Sequence, residues 1–301
     1  MLHLLNVLIA AVPLFIVGGQ SNTDGRLDNH APDQLIPEFA KGENDQALVS
    51  WHSTFDDKWT CHFIKWNPCV GKKDREQARR WAYDTCLYKL LTEKYGPIYV
   101  AKTSFGGTSI SPKQQASGTK EGLPQYAVGY HWSVDEEFLN ATKRAGEPFE
   151  FNGTNVVGQS LTKVWIENID ATIDLLKSEG KEPEVKAIFW HQGESDRRNK
   201  NYANDFTALM TFVRKHLAEK LGDDKYLKTP VIFGTVPRAS SLYSDSLDSA
   251  FRSLDGKDDF FMADIKDDGI MKKGDSKHFN AESAEKLARR MFEKVQILLD
   301  K

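Results

Sequence analysis

The chain has 301 residues, 40% hydrophobic and 28% charged, enough for one large domain with a substantial core or for two smaller ones. A formal net charge of −3, with no Lys/Arg cluster interleaved with aromatics, leaves no electrostatic footprint for a phosphate backbone, so nucleic acid is not an expected partner. Cys61, Cys69 and Cys86 form no CxxC pair and have no histidine at zinc-finger spacing, so no structural metal is expected.

The first seventeen residues, MLHLLNVLIAAVPLFIV, are almost continuously apolar. Pro13 and Asn6 interrupt them, and a spanning helix needs about 20 apolar residues, so no stable membrane span is expected. Residues 1–11 read either as an export signal with Ala10 and Ala11 near the cleavage point, or as a segment packed on the body of the protein. Export would place the protein in a secreted or periplasmic setting. There Cys61 and Cys69 could close a small loop disulfide and the sequons at Asn140 and Asn152 would matter, whereas Cys86 reads as a core thiol.

From Val12 to Val17 a β-branched apolar run fits a buried strand. Residues 75–95 place apolar side chains at helical spacing and stop at Gly96-Pro97, after which 98–104 reads as a strand. Helices over 163–179, 202–221 and 281–299 alternate with strands over 185–190, 231–236 and 260–265. Five strands separated by helices predict a parallel sheet covered on both faces, an α/β/α sandwich. No repeat or low-complexity linker divides residues 12–301, so they read as one domain.

Two segments, about 22–74 and 107–162, exceed ordinary connections and leave from strand ends. They carry Trp51, Trp59, Trp66, Tyr126, Tyr130 and Trp132, which suit either sugar faces or local loop packing.

Ligands of open parallel sheets bind at the carboxyl ends of the strands. Those ends read Gly18-Gly19-Gln20-Ser21-Asn22, then Phe105-Gly106-Gly107-Thr108, then His191-Gln192-Gly193-Glu194-Ser195-Asp196; Asp275-Ser276-Lys277-His278 precedes the last helix. A serine on a glycine-led turn after a buried strand is presented to a ligand with its N–H unspent. Asp275 and His278 supply a base and its orienting acid from one loop. A glycine N–H at 106 or 107 and an amide side chain such as Gln192 are available to an oxyanion. Gly158-Gln159-Ser160 repeats the GQS tripeptide before a helix and reads as a cap. A metal site from His191, Glu194 and Asp196 lacks further ligands, and Glu194 with Asp196 also reads as a helix-start charge pair.

GQSN, GGT, HQGESD and DSKH, in this order, resemble the sialate O-acetylesterase/acetylxylan esterase branch of the SGNH hydrolases, from Leu14 to the final helix. The resemblance implies a flavodoxin-like α/β/α fold and hydrolysis of acetylated carbohydrates without cofactor or metal. It assigns Ser21 as nucleophile, His278 as base and Asp275 as orienting acid. Ser21, Gly107 and Gln192 become oxyanion donors, while Gln20, Asn22, Gly106 and Glu194 support the substrate or the site. Glu194 is also an alternative orienter of His278. The branch usually has NMAGR where this chain has NTDGR, so Asp24 adds a carboxylate near the mouth, and Arg26 either faces an acidic sugar or closes a loop salt bridge. Longer acyl chains, or glycan binding without turnover, are the competing readings.

Overall fold

The structure, a computed structural model, describes residues 11–52, 64–66, 80–111, 130–136, 139, 148–151, 154–157 and 159–300. Residues 1–10, Cys61, Cys69, Trp59, Tyr126, Asn140 and Asn152 lie outside them, as does the side chain of Trp66.

The sheet is built from β1 (Ala11–Gly19), β2 (Asn44–His52), β3 (Ile64–Trp66), β4 (Ile98–Ser104), β5 (Glu182–His191), β6 (Val231–Gly234) and β7 (Phe260–Ala263). Their order across the sheet is β7-β6-β5-β1-β4-β2-β3. Six strands run parallel and β3 closes one edge antiparallel to β2. The five expected strands are present, and β2, a sixth parallel strand, comes from the segment read as a long loop. Its sequence NDQALVSWH starts polar, which hides a strand whose Ala47 and Val49 are fully buried against the sheet.

Helices α1 (Asp84–Tyr95), α2 (Leu161–Ser178), α3 (Tyr202–Leu221), α4 (Asp245–Leu254) and α5 (Ala281–Leu299) cover the sheet. Alternation along β1 sends Leu14 and Ile16 to the core shared with α2, α3 and α4, and Phe15 and Val17 to the core shared with α1 and α5. No helix among the described residues is long and apolar enough to cross a membrane.

The helix expected over 75–95 begins only at Asp84. Arg80 and Trp81 are extended instead and pair with Leu27–Asp28, because Trp81 buries its ring and donates Nε1–H to the Gln34 carbonyl at 2.7 Å. Ser160 caps α2 by accepting from the Lys163 N–H at 3.3 Å, as the GQS repeat predicted.

Most tryptophans with described side chains pack. Trp132 is fully buried, edge-on to Trp190 at 5.1 Å and to Trp165 at 5.7 Å. Trp51 lies under the Lys102 ammonium at 4.7 Å, and Cys86 is a buried free thiol of the α1 core.

Candidate active site

The chain leaves β1 between β5 and β4, with Gly19 in register with His191 on one side and Ser104 on the other. This is the point where the strand order reverses, the usual ligand crevice of an open α/β sheet. Gly18 is required here: a Cβ would collide with Trp165 and Trp190 at 2.8 Å. The Gln20 N–H donates to the His191 carbonyl at 3.1 Å, and Ser21–Asp24 then form a single helical turn.

Ser21 opens that turn at 7% exposure, and its N–H and hydroxyl donate to no described group. Its Cβ is 3.2 Å from the place a Cβ on Gly106 would take. The Gly106 N–H also has no described acceptor, so two neighbouring residues at the serine each keep an amide donor unspent among the described groups. Gly107 adopts φ +77°, which lets the chain turn directly after them.

The His278 Nδ1 stands 2.7 Å from Asp275 Oδ2, while Asp275 Oδ1 accepts from the Lys277 and His278 N–H groups. Burial raises the Asp275 carboxyl, but the His278 bond, the Lys277 N–H and the Lys272 charge outweigh it and hold the group well below the usual range. Burial lowers His278, Lys272 and Arg26 add to this, and Asp275 only partly opposes them, so the ring is neutral at pH 7, and its Nε2 meets no partner among the described residues. The loop is braced from two sides. Asp33 Oδ2 accepts from the Lys273 N–H at 2.7 Å, and the Ser276 carbonyl accepts from the Ser241 N–H at 2.8 Å.

His278 and Asp275 line a cavity of about 530 Å³ with Gln34, Arg26, Arg80 and Lys272. Arg26 Nη1 bonds Asp24 Oδ2 at 2.6 Å while Nη2 lies over Gly106, so Arg26 closes the expected loop salt bridge and also lines the cavity. Asp24 is spent on this bridge and on the Ser104 hydroxyl. The Arg80 side chain has no hydrogen-bond or ion-pair partner among the described residues. Sequence reasoning missed Arg80 because it read the residue onto a helix.

Asn22 and Glu194 meet beneath the serine: Asn22 Nδ2 donates to Glu194 Oε1 at 2.7 Å, both residues being buried. Glu194 therefore steadies the serine turn, and Asp275 alone holds His278. His191 lies under the site at 3.8 Å from Glu194, kept neutral by burial. Gln20 Oε1 accepts from the Ser195 N–H at 3.4 Å, tying the serine turn to the same loop. Gln192 differs from its expected role. Its Nε2 donates to the Thr108 carbonyl at 3.1 Å and to Asp196 Oδ2 at 2.5 Å, and its Oε1 accepts from Tyr202, so this fully buried amide has no hydrogen left for an oxyanion. Asp196 faces Gln192, away from any His191–Glu194 cluster, and no group of possible metal ligands occurs among the described residues.

Solved structures share this architecture. A protein from Arabidopsis thaliana is 18% identical over 96% of this chain and 98% of its own, with a TM-score of 0.58. NanS is 11% identical over 97% and 98%, with a TM-score of 0.62. XAC1771, a carbohydrate acetylesterase from Xanthomonas citri, is 16% identical over 94% of this chain but 55% of its own, with a TM-score of 0.51. A search of curated proteins found no match. The molecule is an α/β protein with a mostly parallel sheet flanked by helices, and a hydrolase acting on ester bonds. It belongs to the carbohydrate esterase family of sialic acid-specific acetylesterases, whose family model matches residues 141–296, just over half of the chain.

Proposed function

We propose that the protein removes O-acetyl groups from carbohydrates through an acyl-serine intermediate, with Ser21 as nucleophile. The observation that carries this reading is the 2.7 Å pairing of His278 with Asp275 at the cavity that also reaches Arg26 and, through it, Gly106 and Ser21. Ser21 Oγ attacks the acetyl carbonyl and passes its proton to His278 Nε2, while Asp275 holds the Nδ1–H and stabilises the imidazolium. The oxyanion receives the Ser21 and Gly106 N–H groups, with Gly107 shaping the turn that aims them. His278 returns its proton to the departing sugar hydroxyl. It then deprotonates a water that attacks the acyl-serine, releasing acetate.

The cavity favours a short acyl group on an anionic sugar. Ala31 is its one apolar lining residue among those described, which offers no trough for a long chain, and three cations face two carboxylates, Asp28 and Asp275. The unpartnered Arg80 guanidinium is suited to a sugar carboxylate.

The test is initial-rate hydrolysis of 4-nitrophenyl acetate, butyrate and octanoate by wild type and Ser21→Ala, with chelator present. Acetate fastest and an inactive Ser21→Ala are expected. An unreactive wild type, or a serine variant that keeps its rate, overturns the reading.

A further inference from the structure

A carboxylate outside the triad ties together both loops on the far side of the serine. Asp196 is 1% exposed in the one-turn 3-10 helix Glu194–Asp196 that follows β5. Its Oδ2 accepts from the Ile110 N–H at 2.9 Å and from Gln192 Nε2 at 2.5 Å, and its Oδ1 accepts from Asn199 Nδ2 at 3.2 Å. Gln192 in turn reaches the Thr108 carbonyl. Thr108 and Ile110 belong to the stretch that starts with Gly106 and Gly107, so two of these bonds hold the downstream end of the proposed oxyanion turn and the others anchor the clamp.

We propose that Asp196 is a positioning residue: ionised, it clamps Gln192 and the 108–110 backbone so that the Gly106–Gly107 turn presents the Gly106 N–H to the acetyl oxyanion. The inference rests on the acyl-serine reading. It also accounts for Gln192, which braces the turn through Asp196 and Thr108 instead of meeting the substrate. An ionised carboxylate accepts all of these donors at once; a protonated one must turn one oxygen into a donor facing other donors, and the clamp opens.

Asp196 is enclosed by hydrogen-bond donors and by side chains engaged with other partners. Burial pushes its carboxyl up to about 6, against hydrogen bonds from Ile110, Gln192, Asn199 and Ser111 that favour the ionised form. On α3, the Tyr202 phenol is held protonated by burial, and Asp205 shares the Asn199 amide. On its own 3-10 helix Glu194 is engaged with Asn22. His131, beside Ser109, is pushed by burial to about 3 and stays neutral. No cation forms an ion pair with Asp196 among the described residues.

The experiment is a pH profile of kcat/KM on 4-nitrophenyl acetate for wild type, Asp196→Asn and Asn199→Ala, with Ser21→Ala alongside, paired with an NMR titration of the Ile110 amide. On the acid side wild type loses activity through two protons, one on Asp196 and one on His278, so the limb falls with a log–log slope near two. Asp196→Asn lowers kcat by about tenfold to a hundredfold through misplacement of the turn. It leaves KM little changed and reduces the slope to about one. Asn199→Ala, which removes one donor to the carboxylate, moves the Asp196 step to higher pH. The Ile110 amide signal of wild type shifts with a midpoint near 6. A wild-type Ile110 amide that does not titrate overturns the proposal whatever the turnover, and so does an acid limb identical in all three proteins. An inactive wild type, or an active Ser21→Ala, instead overturns the esterase mechanism, leaving the clamp to be decided by the amide titration.

Discussion

The guanidinium of Arg26 fills the space in which a side chain on Gly106 would begin, and Ser21 Cβ borders the same space at 3.2 Å. Glycine is therefore required at 106 for room, because its backbone lies outside the left-handed region that constrains Gly107. Gly106→Ala is expected to push the Arg26 head aside and crowd the nucleophile, lowering kcat by about a hundredfold. Arg26 is half-buried and its flexible head absorbs the clash, so the melting temperature should move little. Steady-state kinetics beside a thermal melt checks both; a large fall in Tm with kcat intact would contradict the assignment.

Asp275→Asn removes the acceptor that orients His278 and is expected to reduce kcat by about 10²- to 10⁴-fold. The stability consequence has a definite sign. The Asp275 carboxyl is lower in the folded protein than in the unfolded chain, so its contribution is present above the ordinary carboxylate value near pH 4 and is lost as pH falls through the folded value. Urea titrations of wild type and variant should differ at pH 7 and converge in acid. A gap that widens on acidification would count against this account.

Arg80 is expected to set the charge preference of the cavity. Arg80→Ala should raise KM for an acetylated sugar carboxylate by about tenfold, corresponding to roughly 1.4 kcal/mol, while leaving 4-nitrophenyl acetate unaffected. Acetate release from an acetylated hexuronate and from the matching neutral hexose reads the difference. Equal effects on both sugars would assign Arg80 to the local fold.

Lys102 and Asp84 form an ion pair at 2.6 Å with side chains 1% and 0% exposed. Lys102→Met strands a buried carboxylate, at an expected cost of about 3–5 kcal/mol. The double variant Lys102→Met/Asp84→Leu should recover much of that loss, because two apolar groups need no partner. Chemical denaturation of the two variants tests this, and a Lys102→Met protein as stable as wild type refutes it.

The sequence exposed what depends on local pattern. Helices 202–221 and 281–299 end where the apolar spacing ends, and Ser160 caps α2 where the GQS repeat placed it. The Asp275–His278 pair was readable because both residues lie in one loop. Features that depend on tertiary partners were hidden. β2 begins with polar residues and declares itself only beside β4, and Trp81 leaves a helical pattern for a contact with the Gln34 carbonyl. Gln192 sits at the expected position in its motif, yet Asp196 of the same motif, Tyr202 on the next helix and the distant Thr108 claim its amide.

Residues 272–278, which carry Asp275 and His278, have no apolar side chain of their own and are fastened by hydrogen bonds to Arg26, Asp33 and Ser241. Such a segment opens at a free energy below that of the whole sheet. The enzyme should therefore have two thermal limits, one for the base and a higher one for the scaffold. On heating, turnover fades while the circular dichroism of the sandwich is still intact, and returns on cooling because the strands never separate.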